Sequence, residues 1–232
     1  MQIDTQPKRL SPLHNQHQTL DARFELQGGW LVPEVYTNTE GEAKALQESV
    51  ALADISSLGK IILKGVHAGA IISASLGESP SKAGAIIEIE PKHVLVVQLT
   101  PDEILMLTPP GAEKELISSL EAEIASQDTF ASVVDQTSGL VGLSISGPKS
   151  IEVMQKLCAI PFNARDFPDL HVAQSSFAKV RATLIRHDRS ASPSFELFAD
   201  RSYGTYLWDA TLDAGREFGI QPAGWETLEG QI

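Results

Sequence analysis

The sequence predicts an α+β protein built from two lobes that share one order of elements. Three observations predict it. Short strand-like runs rich in β-branched residues alternate with amphipathic helical stretches, so neither an all-helical nor an all-strand fold fits. Each half reads strand, glycine turn, helix, further strands, long helix, which is the order of a βαββαβ unit. Gly65-Val66-His67-Ala68 and Gly147-Pro148-Lys149-Ser150 open the corresponding helices of the two halves. A chain of 232 residues holds one large domain or two small packed lobes. The expected limits are a single domain over 11–225 with lobes at about 40–125 and 130–225, after a flexible polar segment over 1–10.

The elements follow in order. Residues 13–22, with Leu13 and Leu20 as apolar positions, read as a short helix lying across another element. Gly28-Gly29 punctuates the chain, and Trp30 is a large apolar anchor in a turn. Residues 40–52 carry Ala43, Leu46 and Val50 at helical spacing, and 51–56 read as a helix exit into a strand. A strand over 60–65 (Lys60-Ile61-Ile62-Leu63-Lys64-Gly65) leads to a helix over 67–76 and a Gly/Ser/Pro loop over 77–84. Three strands follow at 85–89, 93–99 and 103–108, the last two joined by a Pro101-Asp102 turn. Leu116, Ile117, Leu120 and Ile124 make 112–125 an amphipathic helix.

A second set starts at Val133-Val134-Asp135. It runs through a strand over 141–146, a helix over 149–157 with Pro148 suited to its first turn, and strands over 172–177 and 179–186. A polar loop over 187–194, a strand over 194–199 and a helix over 202–218 complete it, with Gly219 and Pro222 stopping the helix.

Charge and composition narrow the function classes. Hydrophobic residues make up 42% and charged residues 21%, values of an ordinary globular chain. A net charge of -12 repels nucleic acid and anionic membranes, so neither is an expected partner. The opening MQIDTQPKRLSPLHNQHQTL has no apolar h-region, no run approaches a membrane span, and a single cysteine allows no internal disulfide; a cytoplasmic location is expected. Cys158, after Met154 and Leu157, reads as a core residue. No Cys/His spacing suits zinc, and no metal is expected.

Six motifs stand in a recognisable order. They are Ser11-Pro12-Leu13-His14-x-x-His17-x-x-Leu20-x-Ala22-Arg23, Gly29-Trp30-x-x-Pro33, Leu52-Ala53-Asp54-Ile55-Ser56-Ser57-Leu58-Gly59-Lys60, Leu143-Ser144-Ile145-Ser146-Gly147-Pro148-Lys149, Leu207-Trp208-Asp209-Ala210, and Gln221-Pro222-Ala223-Gly224-Trp225. Each is weak alone. Together, along nearly the whole chain, the sequence resembles the glycine-cleavage T-protein (aminomethyltransferase) family. The resemblance implies two intertwined ferredoxin-like lobes of the folate-binding type, with mixed or antiparallel sheets and flanking helices. It also implies a central opening for tetrahydrofolate, with aminomethyl or methylene transfer to folate nitrogens.

The departures bear on the site. The family's "RTGYTGEDGFE" stretch aligns with Arg186-His187-Asp188-Arg189-Ser190-Ala191-Ser192-Pro193-Ser194-Phe195-Glu196, which keeps Arg186, Phe195 and Glu196 and loses the glycine-rich turn and its first Glu. The resemblance makes Glu196 the candidate acceptor for pterin N–H groups, with Trp30, Arg186 and Phe195 as cofactor-binding companions. The family's Asp-Asp pair is absent; Glu88 and Glu90 are the candidate catalytic carboxylates in its place, and strand alternation gives both one face. Family members continue into a C-terminal barrel, and this sequence stops at Ile232, so a shortened form is expected.

The remaining constellations have bland readings. His14 and His17 read as polar residues rather than a metal pair, and Gly147-Pro148-Lys149 reads as packing rather than an anion site. Arg186, His187, Arg189 and Arg201 are expected around one loop, where a polyglutamyl tail could meet them. Two functions compete: a folate-dependent one-carbon transferase or demethylase, and a non-catalytic subunit similar to the gamma subunit of heterotetrameric sarcosine oxidase. The partners expected are a folate ligand and larger oxidase or glycine-cleavage-type chains. The superfamily's iron–sulfur-assembly helpers use a cysteine-bearing motif that this sequence lacks.

Overall fold

The fold is described from a computed structural model that covers residues 9–127, 129–189 and 192–228. The expected flexible start falls, for residues 1–8, outside the described residues. Arg9–Leu10 is a strand, β1, lying parallel to Trp30–Val35, β3. Between them come α1 (His14–Thr19) and β2 (Arg23–Gln27), and β2 pairs antiparallel with β3. Trp30 therefore opens a strand rather than sitting in a turn. Gly28 and Gly29 are the turn of a hairpin, with φ of 52° and 84°, a conformation that glycine adopts without strain. A Cβ on Gly28 would stand 2.2 Å from the Pro110 carbonyl oxygen, so the turn also needs the missing side chain for close packing.

The helix α2 (Thr39–Glu48) is capped by Asn38, whose Oδ1 accepts from the Gly41 N–H at 2.7 Å. It ends earlier than helical spacing predicts, because Ala51–Asp54 forms a strand, β4. Next come β5 (Gly59–Lys64), α3 (Ala68–Leu76), β6 (Ile86–Ile89), β7 (Val94–Thr100), β8 (Glu103–Thr108), α4 (Glu113–Ser126) and β9 (Ser132–Asp135). The second half holds β10 (Leu140–Ser146), α5 (Ser150–Leu157), β11 (His171–Phe177), β12 (Val180–Arg186), β13 (Ser194–Asp200), α6 (Gly204–Gly215), β14 (Gln221–Pro222) and α7 (Trp225–Leu228).

Two ferredoxin-like lobes are intertwined. One sheet has the order β6-β7-β8-β5-β9, the other β11-β12-β13-β10-β4-β14, and β1-β3-β2 forms a third. Sheet membership does not follow the limits of 40–125 and 130–225. β9 lies past residue 130 and pairs with β5, while β4 lies before residue 60 and pairs with β10. Each lobe thus holds a strand from the other's stretch of chain, and the two fold around each other.

Strand alternation sorts the side chains into layers. Ile61, Leu63, Val94, Val96, Ile104 and Met106 face α3 and α4. Leu143, Ile145, Phe195, Leu197 and Leu184 face α5 and α6. The opposite faces of the two sheets look at each other across a third cluster, which contains Leu95, Leu107, Ile185, Phe198, Trp30 and Trp225. The layers run helix, sheet, sheet, helix, and the candidate site lies in the middle seam.

Candidate functional site

Most of the middle seam is filled with side chains, but it keeps two hollows that share walls. The larger is a cavity of about 100 Å³, with Leu58, Leu95, Leu107 and Trp225 as apolar walls and Glu88, His93, His187, Arg189 and Glu196 as polar ones. The smaller, about 30 Å³, adds Ser144, Ser146 and Ser194 to the shared Leu58, Arg189 and Glu196. Glu196 stands between them.

Register places Glu196 there. On β13 it faces Ser144 of β10 and Ile185 of β12, and all three point into the seam. Glu196 is 6% exposed. Its Oε1 accepts from Arg189 Nη2 at 3.2 Å, and its Oε2 is buried with no partner among the described residues. A buried acceptor without a donor costs about 1–3 kcal/mol, so this oxygen is set for a donor that the described residues do not supply. A hydroxyl chain runs beside it: Ser146 Oγ lies 2.6 Å from Ser194 Oγ and 3.1 Å from Ser144 Oγ.

Phe195 and Arg186 face the other way. They are register partners on β13 and β12 and so share the face turned to α5 and α6. Phe195 packs edge-on against Phe162 at 5.3 Å. The Arg186 guanidinium lies 5.7 Å from the Phe195 ring centre, donates to the Phe167 carbonyl at 2.8 Å, and grips both carboxylate oxygens of Asp188. These two residues brace the connection that carries His187 and Arg189; neither walls a hollow. Trp30 belongs to the seam cluster but not to the cavity wall, with the Arg9 guanidinium 5.6 Å above its ring. Arg201 lies at the far end of β13, bonded to the Leu10 carbonyl at 2.9 Å, so the expected basic cluster is dispersed.

Glu88 and Glu90 meet at the β6–β7 hairpin with the one-face relation that alternation predicts, and both are exposed. Glu88 forms part of the cavity rim, 3.5 Å from His187 Nε2, while Glu90 pairs with His93 Nδ1 at 3.2 Å outside it.

Four buried residues, Lys60, Asp54, Tyr36 and Glu42, were not assigned a role from sequence. Lys60 is fully buried, with its Nζ donating to the Ser56 and Leu58 carbonyls at 2.7 and 2.9 Å. Burial pushes its pKa down to about 7 against the pull of Asp54, Asp135 and Glu113. The lysine holds the turn whose Leu58 walls both hollows. Asp54 accepts from His17 Nε2 at 2.8 Å, from the Ser56 N–H at 2.9 Å and from the Ser11 hydroxyl. Burial acts to raise the Asp54 carboxyl, but these bonds and the His17 ring outweigh it and hold it below its ordinary value. Burial also raises the Tyr36 phenol, so it keeps its proton and donates to His17 Nδ1 at 2.9 Å. Glu42 ties the C-terminal segment down, accepting from the Gly224 N–H at 2.8 Å and from Thr227 Oγ1 at 2.9 Å.

The opening motif and the Leu-Ala-Asp motif are thus joined in one buried hydrogen-bond network. The fourth motif's Gly147-Pro148 is a packing device: a Cβ on Gly147 would stand 2.7 Å from the Ser49 carbonyl oxygen. Cys158 is buried, its Sγ 3.7 Å from Ser175 Oγ.

The family model of the GCVT N-terminal domain matches residues 13–230. The chain belongs to the GCVT N-terminal domain family. Over 227 residues this GCVT-family chain is 27% identical to the aminomethyltransferase of Mycobacterium avium (strain 104), covering 92% of its own length and 59% of the relative's. It therefore spans about three-fifths of the curated relative it matches. Among solved structures it resembles aminomethyltransferase T of the glycine cleavage system from Bartonella henselae, with a TM-score of 0.77 at 16% identity, covering 94% of this chain and 60% of that one. It also resembles a chain of the heterotetrameric sarcosine oxidase from Corynebacterium sp. U-96, with a TM-score of 0.70 at 19% identity, covering 93% of this chain and 98% of that one. At these identities the two structures establish the fold of the GCVT-family chain. Among the described residues no helix is long and apolar enough to cross a membrane.

Proposed function

We propose that this chain binds the pterin head of a tetrahydrofolate in the seam, against Glu196, and serves one-carbon transfer. One observation carries the reading: Oε2 of Glu196, in the wall of the cavity, has no partner among the described residues. The amidine edge of a pterin offers two adjacent N–H donors, which a carboxylate accepts in parallel. The apolar walls Leu95, Leu107 and Trp225 suit the flat ring. A hollow of about 100 Å³ is smaller than a folate, so binding includes displacement of Arg189 from Oε1 and widening of the seam. Glu88 and His187 at the rim are the groups available to handle a proton on the reacting nitrogen.

Anaerobic calorimetry and thermal shift with tetrahydrofolate test the reading. Heat and a raised midpoint support it; neither, at millimolar ligand, removes it.

A second reading has its own support. Arg189 closes half of Glu196, both hairpin carboxylates are exposed, and the match to a chain of the sarcosine oxidase heterotetramer is nearly end to end on both sides. In this reading the chain is a non-catalytic subunit of a larger demethylating assembly. Reconstitution with an amine oxidase from the same source tests it: a stable complex supports it, and separate elution from a sizing column contradicts it.

A further inference from the structure

The β6–β7 hairpin tip brings three metal-ligating side chains together, and a fourth reaches it from the other sheet. The ligand atoms of Glu88, Glu90 and His93 all lie within 4.8 Å of one another. His187, just past the end of β12, faces Glu88 of this group, with Nε2 3.5 Å from Glu88 Oε2. We propose that Glu88, Glu90, His93 and His187 form a binding site for a divalent transition-metal ion of the zinc class at the mouth of the cavity. The proposal does not depend on the pterin reading.

The geometry supports it. Zinc–ligand bonds of about 2.1 Å place neighbouring ligands of a tetrahedral site about 3.4 Å apart. Two edges already have that length: Glu90 Oε1 to His93 Nδ1 at 3.2 Å, and Glu88 Oε2 to His187 Nε2 at 3.5 Å. The three hairpin ligands lie within 4.8 Å of one another, and their exposed side chains turn towards the buried His187 to complete the set. His187 is the second, independent observation. It is 8% exposed, its Nε2 is aimed at Glu88 across a long 3.5 Å contact, and its Nδ1, on the other side of the ring, is buried without a partner among the described residues. Two imidazoles with two carboxylates favour zinc, nickel or cobalt over magnesium and calcium, which prefer all-oxygen shells.

A metal here links the two sheets, since Glu88, Glu90 and His93 belong to the first and His187 to the second. Binding therefore raises the melting temperature of the whole chain. It also places a Lewis acid on the rim of the hollow that contains Glu196.

The test uses the full chain, stripped with EDTA and titrated with zinc chloride, with magnesium chloride as a control. The expected result is one equivalent of zinc bound, a raised melting temperature, and tetrahedral d–d bands when cobalt chloride replaces zinc. His93→Ala and Glu88→Gln, both at exposed positions, weaken zinc binding by at least about tenfold and abolish the thermal shift. A double variant at His67 and His171, outside the cluster, binds as the parent does. Absence of zinc binding up to about 1 mM, or equal binding by the parent and His93→Ala, overturns the proposal and leaves an adventitious ion only.

Discussion

The guanidinium of Arg189 donates to Oε1 of Glu196 at 3.2 Å, while Oε2 of the same carboxylate is buried with no partner among the described residues. Removing one member of a buried pair leaves an uncompensated charge, whereas removing both does not. Arg189→Ala is expected to destabilise the chain by about 1–3 kcal/mol. Adding Glu196→Gln to it recovers part of the loss. Urea unfolding of the two single variants and the double variant reads the coupling; additive losses would show that the pair contributes nothing.

Asp54 sets an acid limit. Its carboxyl is held below its ordinary value of 3.8, so the folded state binds a proton less readily than the unfolded one. The stabilisation is fully present above pH 3.8 and is lost as the pH falls through the lower folded value. Asp54→Asn is expected to cost about 3 kcal/mol at neutral pH, by leaving His17 and Ser11 without a charged acceptor, and to flatten the acid limb of the stability curve. Guanidinium unfolding from pH 6 downward, beside the parent, measures both effects, and parallel acid limbs would contradict the account.

Lys60 acts on the alkaline side with the opposite charge. Its folded pKa of about 7 lies below the ordinary 10.5, so between these values the unfolded chain holds a proton that the folded chain has lost. Stability contributed through this group therefore rises with pH across that window. Lys60→Met removes the rise and frees the Ser56 and Leu58 carbonyls. The difference in unfolding free energy between parent and variant should grow from pH 7 to pH 9.5, and a constant difference would contradict the burial of an uncharged amine.

Phe195 is a core residue that lines neither hollow. Phe195→Leu is expected to cost roughly 1–2 kcal/mol in stability and to leave tetrahydrofolate affinity unchanged in the folded fraction. A large affinity loss at unchanged stability would return Phe195 to the site.

The two lobes were legible because their helices have clear apolar stripes and open on Gly-x or Gly-Pro turns. The exchange of β4 and β9 was not, because pairing between distant strands leaves no local trace. Ala51-Leu52-Ala53-Asp54 is buried at every position, so it shows no alternation, and two of its four residues are alanine. Trp30 was read as a turn residue because Gly28-Gly29 and Pro33 are breakers in isolation; paired strands on both sides turn them into a hairpin and a tolerated irregular position. Glu196 was singled out through its motif, and it lies between the two hollows. Phe195 and Arg186 came with the same motif, and the period-two rule alone separates them from it, since neighbours on a strand face opposite sides. Lys60 and Asp54 stood in a recognised motif without an assigned role, because burial of a charge depends on partners distant in sequence, such as Ser11 for Asp54 and Asp135 for Lys60.

The most direct measurement is the anaerobic affinity for tetrahydrofolate of the parent and of Glu196→Gln, which keeps the shape of the side chain but replaces an acceptor oxygen with an N–H donor. The account predicts saturable binding by the parent and a loss of at least about tenfold in the variant, with its fold intact. Equal affinity in the two proteins would contradict it.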